Sequence, residues 1–167
     1  NYWGTDFGWT NDPTAMVKVW DNVKVGDHLF DHVVELLCYQ PELSAVYQHQ
    51  LLTESGYRFG QPDYIDHSKT MRINLKQLRI LAIFAQKGPG SVEDRILYLR
   101  SKKIGWFART PELREAVKNE LKKYVFLVDK DGNMTNKPID NFNHFCDATG
   151  YAIFSHAIRT GAVKNKY

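Results

Sequence analysis

The chain has 167 residues, a length that fits one domain with a hydrophobic core of its own. A hydrophobic fraction of 43% and a charged fraction of 25% exclude an intrinsically disordered chain. The 22 basic and 19 acidic residues give a net charge of +3, which neither requires nor excludes a nucleic-acid partner.

Apolar runs in the sequence are too short to cross a bilayer, so no membrane partner is expected. The two cysteines, Cys38 and Cys146, lie far apart and in no CxxC spacing. This pattern argues against a disulfide scaffold or a thiolate zinc site and favours a reducing compartment. The chain opens on strand-like residues, and we expect one domain over residues 1–167 that is a fragment of a longer protein.

The first part of the chain predicts a meander of three strands followed by a helix. The segment DNVKVGD (residues 21–27) has turn chemistry between the second and third strands. Pro41 near the start and Gly56 at the end delimit the helix. The strands are predicted over residues 2–9, 14–20 and 28–39, and the helix over 41–56.

The second part changes to alternating helices and strands. Ser91 and the pair Thr110-Pro111 each predict a helix start, because these residue types cap a helix or fit its first turn. A hairpin is predicted over residues 125–135 with Asp131-Gly132 at its turn. Further strands are predicted over residues 62–68, 82–87 and 104–109, and helices over 73–81, 91–102, 111–125 and 141–158. The order predicts an α/β domain with a mixed sheet and helices on both faces.

Three acids are candidate metal ligands. Asp6 and Asp66 each end a short apolar strand, and Asp147 lies in the last helix. If the first and fourth strands are neighbours, two carboxylates meet at their carboxyl ends, and the helix adds the third. Converging carboxylates raise one another's pKa, and Mg²⁺ or Mn²⁺ relieves the repulsion with oxygen ligands. Two such ions about 4 Å apart clamp the attacking and leaving oxygens of a phosphodiester.

Each acid taken alone has a simpler interpretation as a turn former, a helix cap or a surface acid. The last helix adds information, because Asn143, Asp147 and Tyr151 follow at four-residue spacing and His144 shares their face. A histidine beside a metal-bound carboxylate orients it, ligates the metal or moves a proton. The alternative is that His144 packs and forms local hydrogen bonds.

Basic residues predict a phosphate-binding rim or, more simply, solvated faces. Lys87 opens the segment KGPGS, which is not a nucleotide-binding loop because GxxxxGK[ST] is absent from the sequence. We interpret KGPGS as a turn, with Lys87 as a contact to the DNA backbone. The basic clusters are Lys69, Arg72, Lys76 and Arg79; Arg100, Lys102 and Lys103; and Lys118, Lys122 and Lys123. His28, His32 and His49 lack the spacing of a zinc site.

Three segments resemble the C-terminal nuclease domain of the large terminase subunit of tailed bacteriophages. They are GTDFGWTNDPTA (residues 4–15), KGPGSVEDRI (87–96) and KPIDNFNHFCDATGYA (137–152). The resemblance covers nearly the whole chain and implies a ribonuclease H-like fold. It also implies a two-metal endonuclease that uses Mg²⁺ or Mn²⁺ to cut double-stranded DNA.

The resemblance assigns Asp6 to the acid of the first strand, Asp147 to the acid of the last helix and Asp66 to the middle acid, with His144 near the metals. This chain departs from the family's usual middle segment, which has small residues, Glu and Pro after the acid, where here Asp66 is followed by HSKT. Asp63 therefore remains a rival for the middle position.

The resemblance also implies partners. These are double-stranded DNA, an ATPase motor domain before residue 1, the small terminase subunit and the portal of an empty capsid, in the cytoplasm of an infected bacterium. We expect a monomer in isolation. Two alternatives stay open: another ribonuclease H-like enzyme such as a resolvase or integrase, and a non-catalytic DNA-binding or docking module.

Overall fold

The computed structural model describes residues 1–8, 12–124, 126–128, 130, 134–138 and 143–166. The strands are β1 (Tyr2–Asp6), β2 (Thr14–Val25), β3 (His28–Gln40), β4 (Pro62–Ile65), β5 (Leu81–Phe84), β6 (Ile104–Ala108), β7 (Phe126–Val128) and β8 (Met134–Pro138). The helices are α1 (Ala45–Glu54), α2 (Lys69–Gln77), α3 (Ser91–Arg100), α4 (Pro111–Lys123) and α5 (His144–Arg159). Within the described residues, no helix has the length and apolarity needed to cross a membrane.

Six of the described strands form one mixed sheet in the order β5-β4-β1-β2-β3-β6, and β7 pairs with β8. Strands β1, β2 and β3 form the predicted antiparallel meander. Strands β4 and β5 run parallel beside β1, and β6 runs parallel beside β3. The predicted α/β fold with a mixed sheet is therefore confirmed, including the neighbouring positions of the first and fourth strands.

Helices cover both faces of the sheet, as predicted. We call the two faces the α5 face, which α4 and α5 cover, and the α1 face, which α1 and α2 cover. Because side chains alternate along a strand, Tyr2 and Asp6 of β1 lie on the α5 face, whereas Trp3 and Thr5 lie on the α1 face. Buried residues of the α5 face include Val17, Val34, Tyr64 and Ala152, and those of the α1 face include Met16, Leu52, Ile65 and Leu75.

Several element bounds differ from the predicted ones. Strand β2 continues through the segment predicted as a turn, because Val23 and Val25 keep the alternation of a strand and the turn is confined to Gly26 and Asp27. Helix α2 begins earlier than predicted, because the Ser68 hydroxyl accepts from the Met71 N–H and caps it. Strand β1 ends at Asp6, and residue 9 of the predicted first strand lies outside the described residues.

The prediction that Ser91 caps α3 is wrong. Gly90 holds that position in the left-handed conformation, with φ at 79°, and the Ser91 hydroxyl instead accepts from the Gly88 N–H. The prediction for Thr110 is confirmed, because its hydroxyl accepts from the Leu113 N–H with Pro111 in the first turn. The predicted turn at residues 131–132 lies outside the described residues.

Gly4 allows the backbone of α5 to approach β1 closely. A Cβ at position 4 would lie 2.2 Å from the Ala148 carbonyl oxygen and 2.8 Å from Ala152 Cβ. We therefore expect Gly4→Ala to lower the free energy of unfolding by about 3 kcal/mol, since the obstacle is helix backbone rather than a flexible side chain. Urea denaturation measures the loss. Gly105→Ala is the control, because its Cβ would meet only the Phe30 ring at 3.2 Å; equal midpoints for the two variants would contradict the prediction.

Candidate functional site

The three predicted acids lie at one end of the sheet, beside the start of α5. Asp6 is the last residue of β1, and Asp66 follows β4 with its N–H donating to the Thr5 carbonyl at 2.9 Å. Asp147 lies in the first turn of α5. Burial raises the pKa of Tyr151 most, and the charges of Asp147, Asp6 and Asp66 raise it further. All three carboxylates therefore lie near the same tyrosine hydroxyl.

Each acid is paired with a cationic or potentially cationic side chain. His144 Nδ1 lies 2.9 Å from Asp6 Oδ2, and Arg95 Nη2 donates to Asp147 Oδ1 at 2.5 Å. The Lys87 ammonium donates to Asp66 Oδ1. The three pairs are His144 with Asp6, Lys87 with Asp66, and Arg95 with Asp147. The positive charges of Lys87 and Arg95, and that of His144 when it is protonated, therefore offset the mutual repulsion of the acids.

Among the described residues, no group of three or more His, Cys, Asp or Glu side chains is placed so that it could hold one metal ion. The structure thus gathers Asp6, Asp66 and Asp147 at one end of the sheet without arranging them as joint ligands. Each carboxylate instead contacts a neighbour of its own: His144 for Asp6, Lys87 for Asp66 and Arg95 for Asp147. Their assignment as metal ligands stays a prediction.

Burial and neighbouring charges shift the pKa values of the site residues in the first turn of α5. Burial, the largest cause, and the charge of Asp6 raise the pKa of Asp147, whereas Arg95 and Lys87 lower it, and the net result is a pKa of about 6. The Asn143 amide donates to Asp147 Oδ2 at 3.3 Å. The hydrogen bond to Asp6 raises the pKa of His144, so this imidazole favours its charged form more than a free histidine does.

The rival acid, Asp63, lies on the α1 face and is fully buried. Its carboxylate accepts from the Thr5 hydroxyl at 3.2 Å and from Gln48 Nε2 at 2.7 Å. Asp63 and Asp66 differ by three positions, so they point to opposite faces of the sheet. The structure therefore places Asp66, and not Asp63, on the face that carries Asp6 and α5.

Asp63 makes stability depend on pH. Burial raises its pKa from 3.8 to about 7, so the folded state holds the proton more tightly than the unfolded state. The stability gained from this difference in proton affinity is fully present below about pH 4. It is lost as the pH rises to about 7, and the free energy of unfolding falls by an amount on the order of 4 kcal/mol.

We expect Asp63→Asn to remove this pH dependence and to stabilise the protein at pH 8. The new amide can donate to Gln48 Oε1, which is buried and has no hydrogen-bond partner among the described residues. Denaturation at pH 4.5 and pH 8 measures the effect. A wild type whose stability does not fall relative to the variant over this range would contradict the assignment.

Two residues of the site were not found from the sequence. Arg95 of α3 is buried against Gly150, where a Cβ would lie 2.5 Å from Arg95 Cδ. Glu120 of α4 is also buried, and its carboxylate accepts from the N–H groups of Phe145 and Cys146. A weak sequence indication existed for Glu120, which shares an apolar helix face with Val117. Nothing in the sequence indicated the partner of Arg95.

The predicted DNA-binding residues divide between two places. Lys87 lies at the acids, whereas Lys69, Arg72 and Lys76 lie on α2 and line a depression together with Phe84. The Arg72 guanidinium stacks 4.6 Å from the centroid of the Phe84 ring. Helix α2 begins three residues after Asp66, so its first residue, Lys69, lies near the end of the sheet that carries the acids.

No family model and no curated protein matches the sequence. The fold is similar to that in the crystal structure of the g2p (large terminase) nuclease domain from bacteriophage SPP1 with bound Mn. The TM-score is 0.69 at 22% sequence identity, and the match covers 93% of this chain and 87% of the SPP1 domain. The chain therefore has the predicted ribonuclease H-like fold, which it shares with that nuclease domain.

Proposed function

We propose that this chain is the nuclease domain of a large terminase subunit, a metal-dependent endonuclease that cuts double-stranded viral DNA during genome packaging. The observation that carries the proposal is the gathering of Asp6, Asp66 and Asp147 at one end of the sheet. The fold supports it, because a domain with the same fold is a nuclease with bound Mn.

The donor chemistry fits a hard divalent cation. Carboxylate oxygens are the ligands that Mg²⁺ and Mn²⁺ prefer, and the cationic partners of Asp66 and Asp147, Lys87 and Arg95, mark places where added positive charge is favourable. Asp6, Asp66 and Asp147 would hold the metal, and the proposal includes two ions per site. When bound, the ions supply charge stabilisation for the phosphoryl oxygens and make water more acidic.

The chain's own residues would orient the ligands and the DNA. His144 fixes the orientation of the Asp6 carboxylate, and Arg95 does the same for Asp147. Lys87 and the basic residues of α2 would bind backbone phosphates. Phosphate contacts carry no base information, so we propose cleavage with little sequence specificity and a strong dependence on salt.

The proposal extends to the cellular setting. The chain would act as one domain of a longer protein, next to an ATPase domain, with the small terminase subunit and the capsid portal as further partners. It would do so in the cytoplasm of the infected bacterium, at the portal of the procapsid. In isolation we propose a monomer.

Supercoiled plasmid incubated with Mn²⁺, Mg²⁺ or EDTA tests the activity. We expect nicking and linearisation with either ion, none with EDTA, and none for Asp6→Ala with any of them. Asp27→Ala is the matched control, because Asp27 is an exposed residue at the turn between β2 and β3. Full activity of Asp6→Ala would exclude this assignment.

The same assay separates the alternatives. Strong preference for a four-way junction over linear duplex would indicate a resolvase-type enzyme. Duplex binding without metal-dependent cleavage, together with a melting temperature that Mn²⁺ does not change, would indicate a non-catalytic module, since a ligand that binds the folded state raises stability.

A further inference from the structure

Glu120 of α4 holds the first turn of α5 from outside that helix. Its carboxylate oxygen Oε2 accepts from the N–H of Phe145 at 2.8 Å and from the N–H of Cys146 at 3.2 Å. The other oxygen, Oε1, accepts from the Tyr39 hydroxyl at 2.7 Å. The Glu120 residue is only 1% exposed, so these hydrogen bonds form away from water.

The first turn of α5 depends on this contact. The N–H groups at the start of a helix have no partner within the helix. Asn143 occupies the cap position, but its side chain makes no cap hydrogen bond within the described residues and donates to Asp147 instead. Glu120 therefore takes the place of a local cap, and its negative charge lies at the positive end of the helix dipole.

This turn carries two of the predicted site residues. His144 and Asp147 flank Phe145 and Cys146, whose N–H groups Glu120 accepts. The Tyr39 ring, which holds the other oxygen of Glu120, lies edge-on to the His144 ring with centroids 6.5 Å apart. A displacement of this turn would move His144 away from Asp6 and Asp147 away from Arg95 at the same time.

We infer that Glu120 is a positioning residue, which sets the places of His144 and Asp147 relative to Asp6 by fixing the first turn of α5. The inference rests on the proposed nuclease function for its effect on cleavage. The contact itself links α4 to α5 whether or not the chain cleaves DNA.

The test compares Glu120→Ala, Glu120→Gln and Tyr39→Phe with the wild type and with Glu115→Gln, an exposed position on the same helix. We expect Glu120→Ala to lower kcat for plasmid nicking at saturating Mn²⁺ by about 10²-fold, the effect of a displacement of about 1 Å at a reaction site. The KM for DNA should change by less than about twofold, because the basic residues of α2 are untouched. Glu120→Gln keeps one acceptor oxygen and should recover kcat to within about tenfold of the wild type, as should Tyr39→Phe.

Amide hydrogen exchange at Phe145 and Cys146, measured by NMR without metal or DNA, is the second readout. We expect both amides to exchange faster in Glu120→Ala than in the wild type. In Glu115→Gln the exchange rates should equal those of the wild type. If Glu120→Ala does not fold, Glu120→Gln decides, because an amide oxygen is a weaker acceptor than the carboxylate and exchange at both amides should still be faster than in the wild type. Folded variants with wild-type kcat and wild-type exchange would overturn the inference. A wild type that never cleaves DNA would overturn the proposed function, and unchanged exchange in the folded variants would then still overturn the role of Glu120.

Discussion

Asp66→Asn is expected to lower metal-dependent cleavage by more than about 10²-fold, whereas Asp63→Asn should retain most of the wild-type rate. Loss of a group that merely orients a metal ligand costs about 10- to 100-fold, so loss of a ligand should cost at least as much. The two aspartates are three residues apart and serve as matched controls for each other. Asp66 lies with Lys87 on the face that carries Asp6, and Asp63 lies on the opposite face with Thr5 and Gln48.

Initial rates of plasmid nicking across a range of Mn²⁺ concentrations measure this difference. Circular dichroism and thermal melting establish that both variants fold. The Mn²⁺-induced rise in melting temperature should be reduced in Asp66→Asn and retained in Asp63→Asn, because only the first loses a ligand. The reverse pattern, with an inactive Asp63→Asn and an active Asp66→Asn, would show that the middle ligand is Asp63 and that the two faces have been assigned the wrong roles.

Arg95→Met is expected to destabilise the metal-free protein by about 3–5 kcal/mol, because it leaves the mostly buried Asp147 carboxylate without its cationic partner. The side chains of Arg95 and Asp147 are only 6% and 16% exposed, so water replaces little of the lost interaction. Addition of Mn²⁺ should restore part of the stability, because a divalent cation can balance the same charge. Urea denaturation in EDTA and in Mn²⁺ measures both effects.

The double variant Arg95→Met with Asp147→Asn tests the cause of that loss. Because it removes both charges, its stability in EDTA should exceed that of Arg95→Met alone, and the coupling between the two positions should be large. Arg114→Met, at an exposed position of α4, is the control for the change in residue type. If Arg95→Met loses no more stability than Arg114→Met, the ion pair does not hold Asp147 in place.

Local sequence patterns were sufficient for most of the elements. Alternation predicted β1 to β3, and Thr110-Pro111 fixed the start of α4, because both depend on residues that are neighbours in the chain. The sequence pattern gave the wrong cap residue where two neighbouring residues could both occupy the cap position of a helix. Ser91 is a good helix cap, yet Gly90 takes that position and the Ser91 hydroxyl closes the loop to Gly88 instead.

By itself, the sequence placed Asp63 and Asp66 an odd number of positions apart within the predicted strand 62–68, which puts their side chains on opposite sides of the sheet. It also determined that Asp6 ends a strand and that Asp147 shares a helix face with Asn143 and Tyr151. Only the tertiary structure decided which side of β4 faces α5, and only it supplied the partners: Arg95 for Asp147, and Glu120 for the start of α5. These partners are 52 and 25 residues distant along the chain, so no local propensity encodes them. They meet because the strand order and the docking of α3, α4 and α5 bring them together.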